Sequence, residues 1–129
     1  MIDYSQKTVL VTGSRRGVGR LIAEHFLEGG AKVIGFSRGE ASIEHPSYTH
    51  FCVDISDAQA VQNVFMALSK QKLNLHILVN NASVLTSQYA MILPTEAAQR
   101  MINTNLLGNF IVTREAAKMM RKTRWGRII

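Results

Sequence analysis

The stretch Thr12-Gly13-Ser14-Arg15-Arg16-Gly17-Val18-Gly19 is the first place in this chain where residue type and spacing could do chemistry. It follows the apolar run Thr8–Val11 and precedes Val18, Ile22 and Phe26 at helical spacing, with Leu21 alongside. A glycine turn between a buried strand and a helix is where a doubly wound sheet receives nucleotide phosphates. Gly13 permits the tight turn, Gly17 lets backbone approach a pyrophosphate, and Gly19 lets the helix pack close to the sheet. The first-turn N–H groups and the helix dipole then face the phosphate. The spacing Gly-x3-Gly-x-Gly differs from the common Gly-x-Gly-x2-Gly, so the flanking strand and helix carry the assignment.

The end of the second strand decides which dinucleotide is expected. An acidic residue there would hold a ribose 2′-hydroxyl. The sequence has Phe36-Ser37-Arg38 instead. A carboxylate repels a 2′-phosphate, whereas Arg38 can pair with it bidentately. Arg16, and less directly Arg15, add cations from the glycine loop, so NADPH (NADP+) is favoured over NADH. Asp54 closes a third apolar run, where an acid needs a donor partner or water. Asn105 sits among Asn103, Thr104, Gly108 and Asn109, poor helix formers inside an otherwise good helix. A local conflict of that kind is what a functional kink would look like.

The elements that must position these residues alternate. Strands are expected at Thr8–Val11, Lys32–Ser37, His50–Ile55 and Leu75–Val79, with a last one begun by Gly126-Arg127-Ile128-Ile129. Helices are expected from Val18 to the Gly29-Gly30 stop, and after Asp57 as cap with Val61, Val64, Phe65 and Leu68 inward. A long helix from about Thr95 runs through Met101, Ile102, Leu106, Phe110 and Met119. Residues 39–47, with Pro46, read as a loop. The pattern predicts one α/β domain over residues 1–129, a Rossmann-type doubly wound parallel sheet truncated in its fifth strand.

Composition narrows the classes. The chain has 129 residues, 47% of them hydrophobic, and a net charge of +6. No apolar run approaches the roughly 20 residues that span a bilayer, and the N-terminus shows no signal-peptide pattern, so no membrane role and a cytoplasmic location are expected. The lone Cys52 reads as a small core residue rather than a redox or metal group. The four histidines show no ligand spacing, and no metal is assigned. Of the basic residues, Arg114, Lys118, Arg121, Lys122, Arg124 and Arg127 stand near one helix end with Glu115 as their sole acidic neighbour. Cations there complement the helix dipole, and aromatics are not interleaved with them, so no nucleic acid is expected.

Thr12-Gly13-x3-Gly17-x-Gly19, Asp54-Ile55, Asn80-Asn81-Ala82 and Asn105, in that order, resemble the short-chain dehydrogenase/reductases. The similarity is nearest to the bacterial 3-oxoacyl-acyl-carrier-protein reductases and runs from about Ser5 to Ile129. It implies a Rossmann-fold oxidoreductase, a homo-oligomer (commonly a tetramer), moving a hydride between nicotinamide and a small-molecule carbonyl or alcohol substrate. It further implies that Asp54 hydrogen-bonds the adenine and Ile55 lines its pocket. Asn80 would stabilise the sheet, and Asn81 and Ala82 would line the cofactor near its ribose. Ser83, at the next cofactor-lining position, stands where the family usually has glycine. Asn105 matches the catalytic asparagine that helps hold a water in the proton relay.

The same resemblance asks for a serine after the fifth strand and a Tyr-x3-Lys beyond it. The tyrosines are Tyr4, Tyr48 and Tyr89, and four residues on stand Thr8, Cys52 and Leu93. The chain is therefore expected to be the cofactor-binding half of a reductase, inactive alone. The alternative is a non-catalytic nucleotide-binding module that needs a partner.

Overall fold

In the computed structural model, which describes all residues Met1–Ile129, the apolar runs pair side by side in one parallel sheet. The strands are β1 (Thr8–Thr12), β2 (Lys32–Ser37), β3 (Tyr48–Cys52), β4 (Ile77–Val79) and β5 (Arg127–Ile128), in spatial order β3-β2-β1-β4-β5. The order steps outward from β1 to β3 and then returns to β4 on the other side. The change of direction beside β1 opens a crevice at the carboxyl ends of the strands.

Alternation along each strand divides the core between two faces. Val9, Val11, Val33, Ile77 and Val79 pack on one side with Ala23 and Phe26 of α1 (Gly17–Glu28). Leu10, Ile34, Phe36 and Leu78 pack on the other with α2 (Ala58–Lys70) and α4 (Asn109–Met120). Strands buried on both faces must be apolar throughout, which explains the unbroken runs. Asp57 caps α2, its side chain accepting from Ala60 N–H at 3.1 Å. No helix is long and apolar enough to cross a membrane.

Four expectations need correction. The third strand is Tyr48–Cys52, not His50–Ile55. Parallel register pairs Val33 with Tyr48 and Ser37 with Cys52, so β3 ends where β2 does. Val53 and Ile55 are buried all the same, because they cross the sheet end into the core. Cys52 is exposed, on an edge strand, with its thiol directed to Gly39 O at 3.3 Å. The long helix is three pieces: α3 (Thr95–Ile102), a π-helical segment (Asn103–Gly108) and α4. Finally, Val18, Leu21, Ile102, Leu106 and Phe110 are exposed at 56–70% rather than packed inward. One extra residue per turn in the π segment rotates α3 relative to α4 and breaks the single apolar stripe.

The basic C-terminal region is partly tied down. Lys118 pairs with buried Glu115 at 2.8 Å, and Arg127 and Lys7 lie against the Trp125 ring, 4.9 and 4.4 Å from its centroid.

Candidate functional site

The crevice is a cavity of about 670 Å³, within the range of small-molecule sites. Five segments wall it: the glycine loop, the end of β2 with the turn after it, the segment after β3, the segment after β4 and the π-helical segment. From the sequence-predicted set it gathers Gly13, Arg15, Arg16, Val18, Ser37, Arg38, Asp54, Ile55, Asn81, Ala82 and Ser83.

The glycine loop is built by its neighbours. Gly13 has φ 69°, and a Cβ there would sit 2.8 Å from Asn81 Nδ2. At Gly19 a Cβ would fall inside the Gly13 carbonyl, so the first turn of α1 packs directly on the loop. Gly17 has φ 57° and faces open space. Arg16 is the N-cap of α1 with no side-chain cap, and no acidic residue stands in the first turn. The first N–H groups are left without a side-chain acceptor, a setting that favours an anion.

Thr12 ties the loop to the segment after β4. Its hydroxyl accepts the backbone N–H groups of Asn81 and Ala82, both at 3.0 Å, and Asn81 Nδ2 donates to Thr12 O at 3.1 Å. Asn80 donates through Nδ2 to Thr113 Oγ1 at 3.1 Å, and its backbone N–H donates to Ile129 O at 2.8 Å. These bonds hold β4 to α4 and to the residue that follows β5.

Charge is concentrated at one end. Arg16 and Arg38 are exposed and in no ion pair, while Arg15 donates through Nε to Glu40 O at 3.1 Å. Asp54 is the sole carboxylate lining the cavity, and its Oδ1 accepts from Ser56 N–H at 3.0 Å and Ser56 Oγ at 2.7 Å. Phe36, Val53 and Ile55 make the wall beside it apolar. The lining thus joins exposed guanidinium groups with an apolar wall.

Four predicted residues stand elsewhere. Ser14 is fully buried, its hydroxyl turned from the cavity to Tyr48 Oη at 2.9 Å. Burial pushes the Tyr48 phenol up from its ordinary value, against an opposing effect of the Ser14 bond. Gly17 and Gly19 shape the loop from outside the lining. Asn105 lies just beyond it, while its neighbour Thr104 is in the wall. Asn105 clamps the segment after β4: Oδ1 accepts Val84 N–H and Nδ2 donates to Val84 O, each at 2.8 Å. Phe36, Gly39, Val53, Val84 and Thr104 were not singled out from sequence; each is adjacent to a residue that was, which is the signal that could have found them.

A family model described as short chain dehydrogenase matches residues 7–129. The chain belongs to the short-chain dehydrogenase family. Among its relatives, the 3-oxoacyl-acyl-carrier-protein reductase MabA of Mycobacterium bovis is 32% identical over 126 residues, covering 98% of this chain and 50% of the relative. A short-chain dehydrogenase from Leptospira borgpetersenii, solved with bound NAD+, superposes with TM-score 0.90 at 22% identity over 99% of this chain and 50% of that one, a likeness of fold. ElxO, solved with NADP bound, superposes with TM-score 0.85 at 30% identity over 95% of this chain and 53% of its own. The chain spans about half the length of the curated relatives it matches. Proteins solved with NAD+ and with NADP thus share this fold, and the family is one of oxidoreductases.

Proposed function

We propose that this short-chain dehydrogenase chain holds NADP(H), with Arg38 and Arg16 taking the 2′-phosphate, and supplies the cofactor-binding half of a reductase. The observation that carries the reading is a pair of unpaired guanidinium groups in one cavity, at a strand end without an acid. The open face at Gly17 and the uncapped first turn of α1 fit the pyrophosphate. Phe36, Val53 and Ile55 fit the adenine, with Asp54 Oδ2 left for its amino group. When bound, the cofactor supplies the hydride. The substrate is a carbonyl or alcohol, with a 3-oxoacyl thioester favoured by the name of the MabA relative. Asn105, next to wall residue Thr104, is assigned to the proton relay. The exposed apolar face of Ile102, Leu106, Leu107 and Phe110 supports a homo-oligomer.

The test is titration of the chain with NADPH and NADH, followed by nicotinamide fluorescence. NADPH should bind more tightly, and Arg38→Asp should weaken NADPH by about ten-fold or more while sparing NADH. Equal losses for both would remove Arg38 from the 2′ site. Failure of the wild-type chain to bind either would overturn the nucleotide reading.

A further inference from the structure

Beneath the turn that carries Arg38 runs a line of hydrogen bonds that leaves the cavity. Ser14 Oγ meets Tyr48 Oη at 2.9 Å, and Tyr48 Oη meets His50 Nδ1 at 2.8 Å. His50 Nε2 lies 2.9 Å from both Ser37 Oγ and Gly39 O. Ser37 Oγ itself donates to Gly39 O at 2.7 Å. Glycine loop and Arg38 turn are therefore joined through two side chains of an edge strand. Gly35 makes room for the crossing, because a Cβ there would fall inside the Tyr48 hydroxyl.

Bonding partners assign the proton positions. A carbonyl only accepts, so Nε2 of a neutral His50 carries the proton and donates to Gly39 O. Nδ1 is then an acceptor, and Tyr48 O–H donates to it. With its proton committed, Tyr48 Oη accepts from Ser14. Burial raises the phenol's pKa further above its already high ordinary value, so the hydroxyl stays available as that donor. His50 is half-buried and outside the cavity, while Ser37, Arg38 and Gly39 all line it.

We propose that His50 is a positioning residue that holds the Ser37–Gly39 turn from below and so sets the preference for a 2′-phosphate over a 2′-hydroxyl. The proposal rests on the nucleotide reading of the cavity. Without the Nε2 donor the Gly39 carbonyl keeps Ser37 and the weak Cys52 thiol donor, the turn loosens, and Arg38 loses its fixed bearing toward the phosphate. Binding of the rest of the nucleotide should be retained, because Asp54 keeps its bonds to Ser56 and the glycine loop keeps those of Thr12 to Asn81 and Ala82.

The experiment is calorimetric titration of the chain with adenosine 2′,5′-bisphosphate and with 5′-AMP. The wild-type chain should prefer the bisphosphate. In His50→Asn an amide oxygen can still accept from Tyr48, but no group reaches Gly39, and the preference should fall about three- to ten-fold through the bisphosphate alone. In His50→Gln an amide N–H falls near the place of Nε2, and the preference should stay within about two-fold of wild type. An unchanged preference in His50→Asn would overturn the role of His50. A wild-type chain that binds neither probe would instead overturn the nucleotide reading beneath it. Should His50→Asn not fold, His50→Thr carries the test: a β-branched residue suits the half-buried edge-strand position, offers no donor to Gly39 O, and should shift the preference in the same direction. An unchanged preference in that variant overturns the proposal equally.

Discussion

Gly17 and Gly19 stand two residues apart in one motif and do opposite jobs. Gly19 is needed for space, since any Cβ meets the Gly13 carbonyl. Gly17 is needed for a left-handed backbone at φ 57°, with nothing nearby to obstruct a side chain. Gly19→Ala should therefore destabilise the fold by about 3 kcal/mol, the upper end of overpacking costs, because backbone cannot give way as a side-chain tip can. Gly17→Ala should cost about 1–2 kcal/mol, the penalty of that backbone region. Denaturant midpoints rank the two, and equal losses would contradict the division. At the opposite end of the sheet, His76 Nδ1 accepts Thr8 N–H at 2.9 Å. Burial, and secondarily the Lys7 charge, hold the His76 pKa below its ordinary 6.5. The folded state therefore binds this proton less readily than the unfolded chain. The bond's contribution is fully present above the unfolded value of about 6.5 and is lost as pH falls through the lower folded one. Melting temperature should drop between pH 7.5 and 5, and His76→Gln should make that drop smaller; an identical drop would remove His76 as its source.

At the scale of elements, the π segment is the least ordinary piece of the chain. Its residues Asn103, Thr104, Asn105 and Gly108 were legible as poor helix material, and the interruption falls on them. The consequence was not legible: Asn105 leaves the helix surface to bind both backbone groups of Val84. Asn105→Ala should speed hydrogen exchange at the Val84 amide by about ten-fold, the net worth of such bonds, while exchange in β1 and β2 stays unchanged. Unaltered exchange at Val84 would show that the segment holds itself. Lys32–Ser37 was read at its observed limits, because Gly29-Gly30 and the polar 39–47 loop bound an apolar run. The third strand was misplaced by two to three residues for the converse reason. Val53 and Ile55 look like strand interior, yet β2 ends at Ser37 and leaves them no partner. Cys52 was misread with it, since strand order, not local sequence, puts β3 at the edge.

At the scale of the whole molecule, the cavity needs five segments that the chain visits between residues 13 and 104. None of the tyrosines has a lysine four residues on. On the proposed reading the chain alone should show no ketone-dependent oxidation of NADPH, followed by loss of absorbance, while still binding the cofactor. Turnover that disappears in Asn105→Ala would contradict it. By itself the sequence determined the strand–helix alternation, the glycine turn, the missing acid after β2 and the residue types that meet in the crevice. Each is a local property, set by periodicity, backbone freedom or charge within a few neighbours. Only the tertiary structure decided that Ser14 turns inward, that Tyr48 and His50 reach across Gly35 to the Arg38 turn, and that Asn105 grips Val84. Those contacts join residues far apart in the chain, and nothing in local spacing records which distant group will accept a given hydrogen bond.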